Sequence, residues 1–133
     1  MGLLHNNAIY EIMKLPGKHP CRKRGGRRFI PRGNEPRFAL FAALACKQRI
    51  TILKLLRERE KSTREILPAL GVDDSVVSRH LATLEDAGLI SSRKEGVIKY
   101  YSVPDERIFQ ILDMAGEIIK ETTRKKLDLI NNL

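Results

Sequence analysis

Within the stretch GVDDSVVSRHLATLEDAGLI, residues 71–90, Arg79 and the hydroxyls of Ser75 and Ser78 are spaced to work together. At about 100° per residue on a helix, Ser75 and Arg79 lie opposite an apolar stripe of Val77, Leu81 and Leu84, and Ser78 flanks that stripe. A guanidinium presents a fork of donors that matches the acceptor edge of a guanine or the oxygens of a phosphate, and a serine hydroxyl can serve either. The chemistry open to this face is recognition of a polyanion through hydrogen bonds. Two carboxylates lead the stretch. Asp73 suits the N-cap position, whereas Asp74, in the first turn, can repel phosphate or accept from a cytosine amino group. His80 borders the apolar stripe, so it reads either as a packing histidine or as a further base contact. An ordinary solvated helix face remains the competing interpretation of Ser78, Arg79 and His80.

The elements that would position these residues can be read from spacing and punctuation. Pro36 suits the first turn of a helix through PRFALFAALA, in which Phe38, Phe41, Ala42 and Ala45 recur at helical spacing. KQRITILKLLRERE follows, with Ile52, Leu53, Leu55 and Leu56 on its buried side and Arg49, Lys54, Arg57 and Glu58 on its wet side. Ser62 and Glu65 form a capping box that starts a third helix. Pro68 should keep that helix short or bent, and Gly71 ends it. The recognition helix is expected over residues 74–87, with Gly88 as its stop. Two β-rich runs, Leu89 to Ser92 and Val97 to Val103, joined through Lys-Glu-Gly, read as a hairpin that carries Arg93, Lys94 and Lys99 at its tip and flank. A long helix closes the chain from Pro104, with Ile108, Ile111, Leu112, Ala115, Ile118 and Ile119 on one side. Helix, tight turn, helix, hairpin is the order of a winged helix-turn-helix, a mainly α fold with a small β-hairpin whose second helix enters the major groove of DNA. Residues 36–104 would form this domain and 105–133 a carboxy-terminal helix.

Charge is distributed unevenly. Between Lys14 and Arg37 nine Lys and Arg residues face a single acid, Glu35, whereas Phe38 to Leu133 holds 16 basic and 14 acidic residues in a chain of net charge +9. Gly and Pro recur from Pro16 to Pro36, so residues 1–35 read as a basic, irregular extension, preceded by a short helix over residues 8–15. Such an asymmetry points to a polyanion, for which double-stranded DNA is the usual case. Arg24, Arg27 and Arg28 in CRKRGGRRFIPRG would enter an adjacent minor groove or add phosphate contacts, as an alternative to a basic tail without a defined pose. No run approaches the roughly 18 apolar residues of a membrane span, and the amino terminus lacks the apolar block of a secretion signal, so a cytoplasmic protein is expected. Cys21 and Cys46 form no CxxC pair. No nucleophile–base pair, phosphate-binding glycine loop or metal-ligand cluster suggests an enzyme.

ALACKQRITILKLL, VSRHLATLEDAGLI and EGVIKYYSV resemble the ArsR-type winged-helix repressors over about residues 36–119. The resemblance implies a homodimer held by the helix from Phe38 and the helix after Pro104, and a ligand, often a metal, that weakens DNA binding. The segment STREILPAL lacks the cysteine pair of that family's metal site, and the last helix has acids but no histidine. Asp105, Glu106, Asp113 and Glu117 read as a solvated face. No cofactor is therefore expected, and His19, Cys21 and Cys46 remain the candidates for a sensor, through a soft metal ion or thiol oxidation. The alternative function is a winged-helix interaction module that binds an acidic protein partner through Arg79 and the wing.

Overall fold

The computed structural model describes residues 36–133, and the short helix expected over residues 8–15 lies outside them. Helix α1 runs Pro36–Leu44 and α2 Lys47–Glu58; a two-residue strand β1, Lys61–Ser62, leads into α3, Thr63–Leu70. Helix α4 spans Asp74–Asp86, the strands β2 and β3 span Ser91–Glu95 and Ile98–Ser102, and α5 spans Arg107–Asn131. The expected hairpin is part of a three-stranded antiparallel sheet in the order β1-β3-β2. Lys61 pairs with Tyr101 and Ser62 with Tyr100, a strand too short for alternation to reveal.

Local chemistry explains most boundaries. The Ser62 backbone N–H donates to Glu65 Oε2 at 2.8 Å, one half of the expected capping box. Glu65 also accepts from Arg59, and these bonds hold its carboxyl down at about 2. Helix α3 ends after eight residues at Gly71, whose φ of +61° is the left-handed conformation that a side chain would oppose. Asp73 occupies the N-cap of α4 as expected, but its carboxylate makes no capping hydrogen bond. Its carbonyl accepts from the Val76 and Val77 N–H groups, and its charge still favours the positive helix end.

The core gathers Ile52, Leu53 and Leu56 of α2, Ile66 of α3 and Val77, Leu81 and Leu84 of α4, closed by Ile90, Tyr101, Ile108 and Phe109. Each of these fully buried aliphatic chains contributes about 1.5–3 kcal/mol, which fixes α4 at a set angle to α2 and α3. Arg49, placed on the wet side of α2 by periodicity, is instead buried. Its Nε donates to the Ala43 carbonyl at 2.5 Å and Nη2 to the Ala42 carbonyl at 3.2 Å, so the open end of α1 receives the charge.

Helix α5 behaves differently along its length. Ile108 and Phe109 are buried, whereas Ile111, Met114, Ile118 and Ile119 of the same helix are exposed. At about 1.5 Å per residue its 25 residues extend roughly 37 Å, well past the body it starts on. Arg57 anchors its first turns to α2 by a fork of two bonds to Asp113, 2.7 and 2.8 Å, with the guanidinium 5.2 Å from the Phe109 ring centre.

Candidate nucleic-acid interface

Burial of Val77, Leu81 and Leu84 turns the opposite side of α4 outward. Ser75, Ser78 and Arg79 are exposed on that side, and Asp74 is exposed in its first turn. Arg79 makes one long contact, Nε to the Ser75 carbonyl at 3.4 Å, so its fork of donors is available to an outside acceptor. Thr83, one turn further on, is tied to the Arg79 carbonyl at 2.9 Å and adds no free donor.

His80 does not belong to this surface. Its ring is buried, with Nδ1 3.5 Å from Arg49 Nη1 and 3.9 Å from the Cys46 sulfur, so of its two readings the packing histidine holds and the base contact does not. A guanidinium only donates, which makes Nδ1 the acceptor and the ring neutral, with its proton on Nε2. Burial, followed by the charges of Arg49 and Arg79, pushes the His80 pKa below its ordinary 6.5. As pH falls, the unfolded chain therefore takes up this proton before the folded one. Stability is complete above about pH 6.5 and declines as pH drops from there towards the depressed folded value. We expect the urea midpoint to fall between pH 7.5 and pH 5.5, and His80→Gln to remove most of that fall. An equal fall in the variant would assign it to other groups.

The wing has two unlike faces, because cross-strand partners share a side of the sheet. One face carries the pair Lys94 and Lys99, together with Ser92 and the buried Tyr101. Glu85 at the end of α4 accepts from Ser92 Oγ at 2.6 Å and lies 3.9 Å from Lys99 Nζ, which sets this face beside the recognition helix. Lys94 is exposed and has no ion-pair partner among the described residues. The other face carries Arg93, Glu95 and Tyr100. Arg93, expected from sequence as a backbone contact, is bonded to Glu60 and Glu95 and stacked 4.6 Å from the Tyr100 ring centre. Its acid partner Glu60 lies 33 residues upstream, beyond any local pattern. Gly96, with φ of +62°, makes the tip and Val97 is fully exposed there.

Asp74 faces outward among the donors of α4. We expect Asp74→Asn to strengthen binding to an arbitrary duplex by about two- to fivefold at low salt, by removing repulsion from phosphate. A changed base preference without that gain would instead show Asp74 accepting from a cytosine amino group.

Cys46 is buried at the N-cap of α2, its sulfur 3.3 Å from Gln48 Oε1. Its suggested sensor partners, His19 and Cys21, lie outside the described residues, as do Arg24, Arg27 and Arg28. Among the described residues no group of three or more His, Cys, Asp or Glu side chains could hold a metal ion, and no helix is long and apolar enough to cross a membrane.

An outward polar helix that follows a tight turn, with a hairpin set beside it by Glu85, defines a winged helix-turn-helix regulator. The family model "Bacterial regulatory protein, arsR family" matches residues 46–92. Rv0081 of Mycobacterium tuberculosis, described as an uncharacterized HTH-type transcriptional regulator, is 30% identical over 105 residues, which span 75% of this chain and 92% of that relative. The chain belongs to the arsR family of bacterial regulatory proteins. The crystal structure of Rv0081 aligns with a TM-score of 0.63 at 32% identity, over 70% of this chain and 98% of that one. The repressor SmtB of the same organism is 34% identical over 73 residues, 55% of this chain and 54% of its own. A solution structure of a homodimeric winged helix-turn-helix DNA-binding domain, Mb0332 of Mycobacterium bovis, aligns with a TM-score of 0.59 at 27% identity, over 66% and 82% of the two chains.

Proposed function

We propose that the protein is a cytoplasmic, homodimeric transcriptional repressor that binds double-stranded DNA in a sequence-specific way, with α4 in the major groove and the wing on the phosphate backbone. The observation that carries this reading is the outward face of α4, where the Arg79, Ser75 and Ser78 side chains have no partner among the described residues except the long Arg79 contact, on a helix whose other side is locked in the core. Homodimeric assembly is supported by a second surface. Phe38 and Phe41 of α1 and Ile111, Met114, Ile118 and Ile119 of α5 are exposed, and Leu40, Ile108, Ile111 and Met114 line a common groove between the two helices. An apolar surface of this kind marks an association site. SmtB is named a repressor and Mb0332 a homodimeric DNA-binding domain, in agreement with both parts of the reading.

Selection of bound duplexes from a random pool tests it. A two-fold protein should recover an inverted repeat with half-sites about one helical turn, roughly 34 Å, apart. Recovery of no preferred sequence would sink specific recognition and favour an acidic protein partner for the same face. The basic extension supplies sequence-independent affinity in this scheme. Deleting Met1 to Gly33 is expected to weaken binding to all duplexes and to flatten the dependence of affinity on salt by about 0.9 for each lost phosphate contact, in a titration from 50 to 200 mM. An unchanged slope would exclude the extension from the contact.

A further inference from the structure

The wing contains an arginine that is chemically suited to phosphate yet already satisfied. Arg93 Nε donates to Glu60 Oε2 at 2.8 Å, Nη2 to Glu60 Oε1 and Nη1 to Glu95 Oε2 at 3.0 Å. Three of its five N–H groups are thus committed to two carboxylates, and one face of its plane lies on Tyr100. The group as a whole carries one net negative charge, so an approaching phosphate meets repulsion at that face. The opposite face is built the other way. Lys94 and Lys99 are direct cross-strand partners, and the Glu85 carboxylate 3.9 Å from Lys99 Nζ offsets only part of that like-charge pair, so an anion seated beside Lys94 would relieve the rest.

We propose that Glu60 is a positioning residue for DNA binding: by gripping Arg93 against Tyr100 it braces the wing, so that Lys94 and Lys99 meet the phosphate backbone. Glu60 is well placed for this role. It adjoins β1, whose Lys61 pairs with Tyr101 of the wing, and its carbonyl accepts from Arg59 Nη1 at 2.9 Å. Arg59 in turn grips Glu65 of the α3 capping box. The brace therefore links the first helix of the helix-turn-helix to the hairpin on one face, while Glu85 links α4 to the hairpin on the other. An exposed ion pair adds little to global stability, but beyond the Tyr100 and Tyr101 pairs with β1 the wing is two-stranded, and in this proposal ties on its opposite faces restrain that outer part.

The inference rests on the DNA-binding role proposed above, and its test separates the two. Hydrogen exchange of the amides of residues 92–101, in the full-length protein without DNA, should quicken about two- to fivefold in both Glu60→Gln and Arg93→Gln, while the unfolding midpoint stays put. Affinity for a selected duplex should fall about two- to fivefold in each, with an unchanged salt slope, and the double variant should be no worse than either single one. Unaltered exchange in the free variants would overturn the brace whether or not the protein binds DNA. So would a slope reduced by about 0.9 in Arg93→Gln together with tighter binding by Glu60→Gln, which would make Arg93 the phosphate ligand and Glu60 its competitor. Failure of the wild-type protein to bind any duplex would remove the proposed function, and exchange would still decide whether the wing is braced.

Discussion

Arg79→Ala is expected to weaken binding to the selected operator by about 10- to 100-fold, the range for loss of one bidentate base contact in the major groove. Arg79 is exposed on α4, opposite a stripe of core residues, and its one internal contact is the long bond to the Ser75 carbonyl. Its removal should therefore leave the fold and the oligomeric state unchanged, which circular dichroism and sedimentation will show. The informative comparison is with an unrelated duplex at the same salt. A loss confined to the operator identifies Arg79 as a base reader and should be accompanied by relaxed preference at one position of each half-site. An equal loss on both duplexes makes it a phosphate contact, and no loss on either removes α4 from the interface.

The paired substitution Met114→Lys and Ile118→Lys is expected to convert a dimer into a folded monomer and to lower operator affinity by about 10²- to 10⁴-fold. Both side chains are 61% exposed in the single chain, so charged replacements cost little until a partner must cover them. A dimer that has placed one recognition helix presents the second at a high effective concentration, and a monomer forfeits that gain without losing any contact of its own. Sedimentation equilibrium and a half-site duplex test the chain of reasoning. The variant should bind a single half-site as well as one subunit of the wild type does. A variant that stays dimeric would place the interface elsewhere.

Much of this architecture was legible beforehand, for identifiable reasons. The Val77, Leu81 and Leu84 stripe obeys helical period over a full element, and the Ser62–Glu65 box and Gly71 mark where a helix starts and stops. These signals are local: each depends on neighbours within about four residues. Expectations failed where periodicity was asked to decide burial near the edge of a stripe. Arg49 lies inside because the carbonyls of Ala42 and Ala43 at the end of α1 receive it, and the packing of α1 against α2 that brings those carbonyls near is tertiary, invisible to the period of α2 alone. For His80, where the sequence left packing and base contact open, the same event decides for packing, since the buried guanidinium takes its ring nitrogen as an acceptor.

Residue order and spacing were sufficient to identify a helix, a turn, a helix and a hairpin, and to single out Arg79 on an outward face. Which charged side chains of that hairpin remain available to a polyanion was decided only by the packed chain. Lys94 and Arg93 are adjacent and both basic, and nothing local distinguishes them. The distinction comes from Glu60, which the three-stranded sheet carries to within 2.8 Å of Arg93, and from the pleat that turns Lys94 to the other side. Ion pairing falls off over a few ångströms, so a partner 33 residues away acts only after the fold has brought it near.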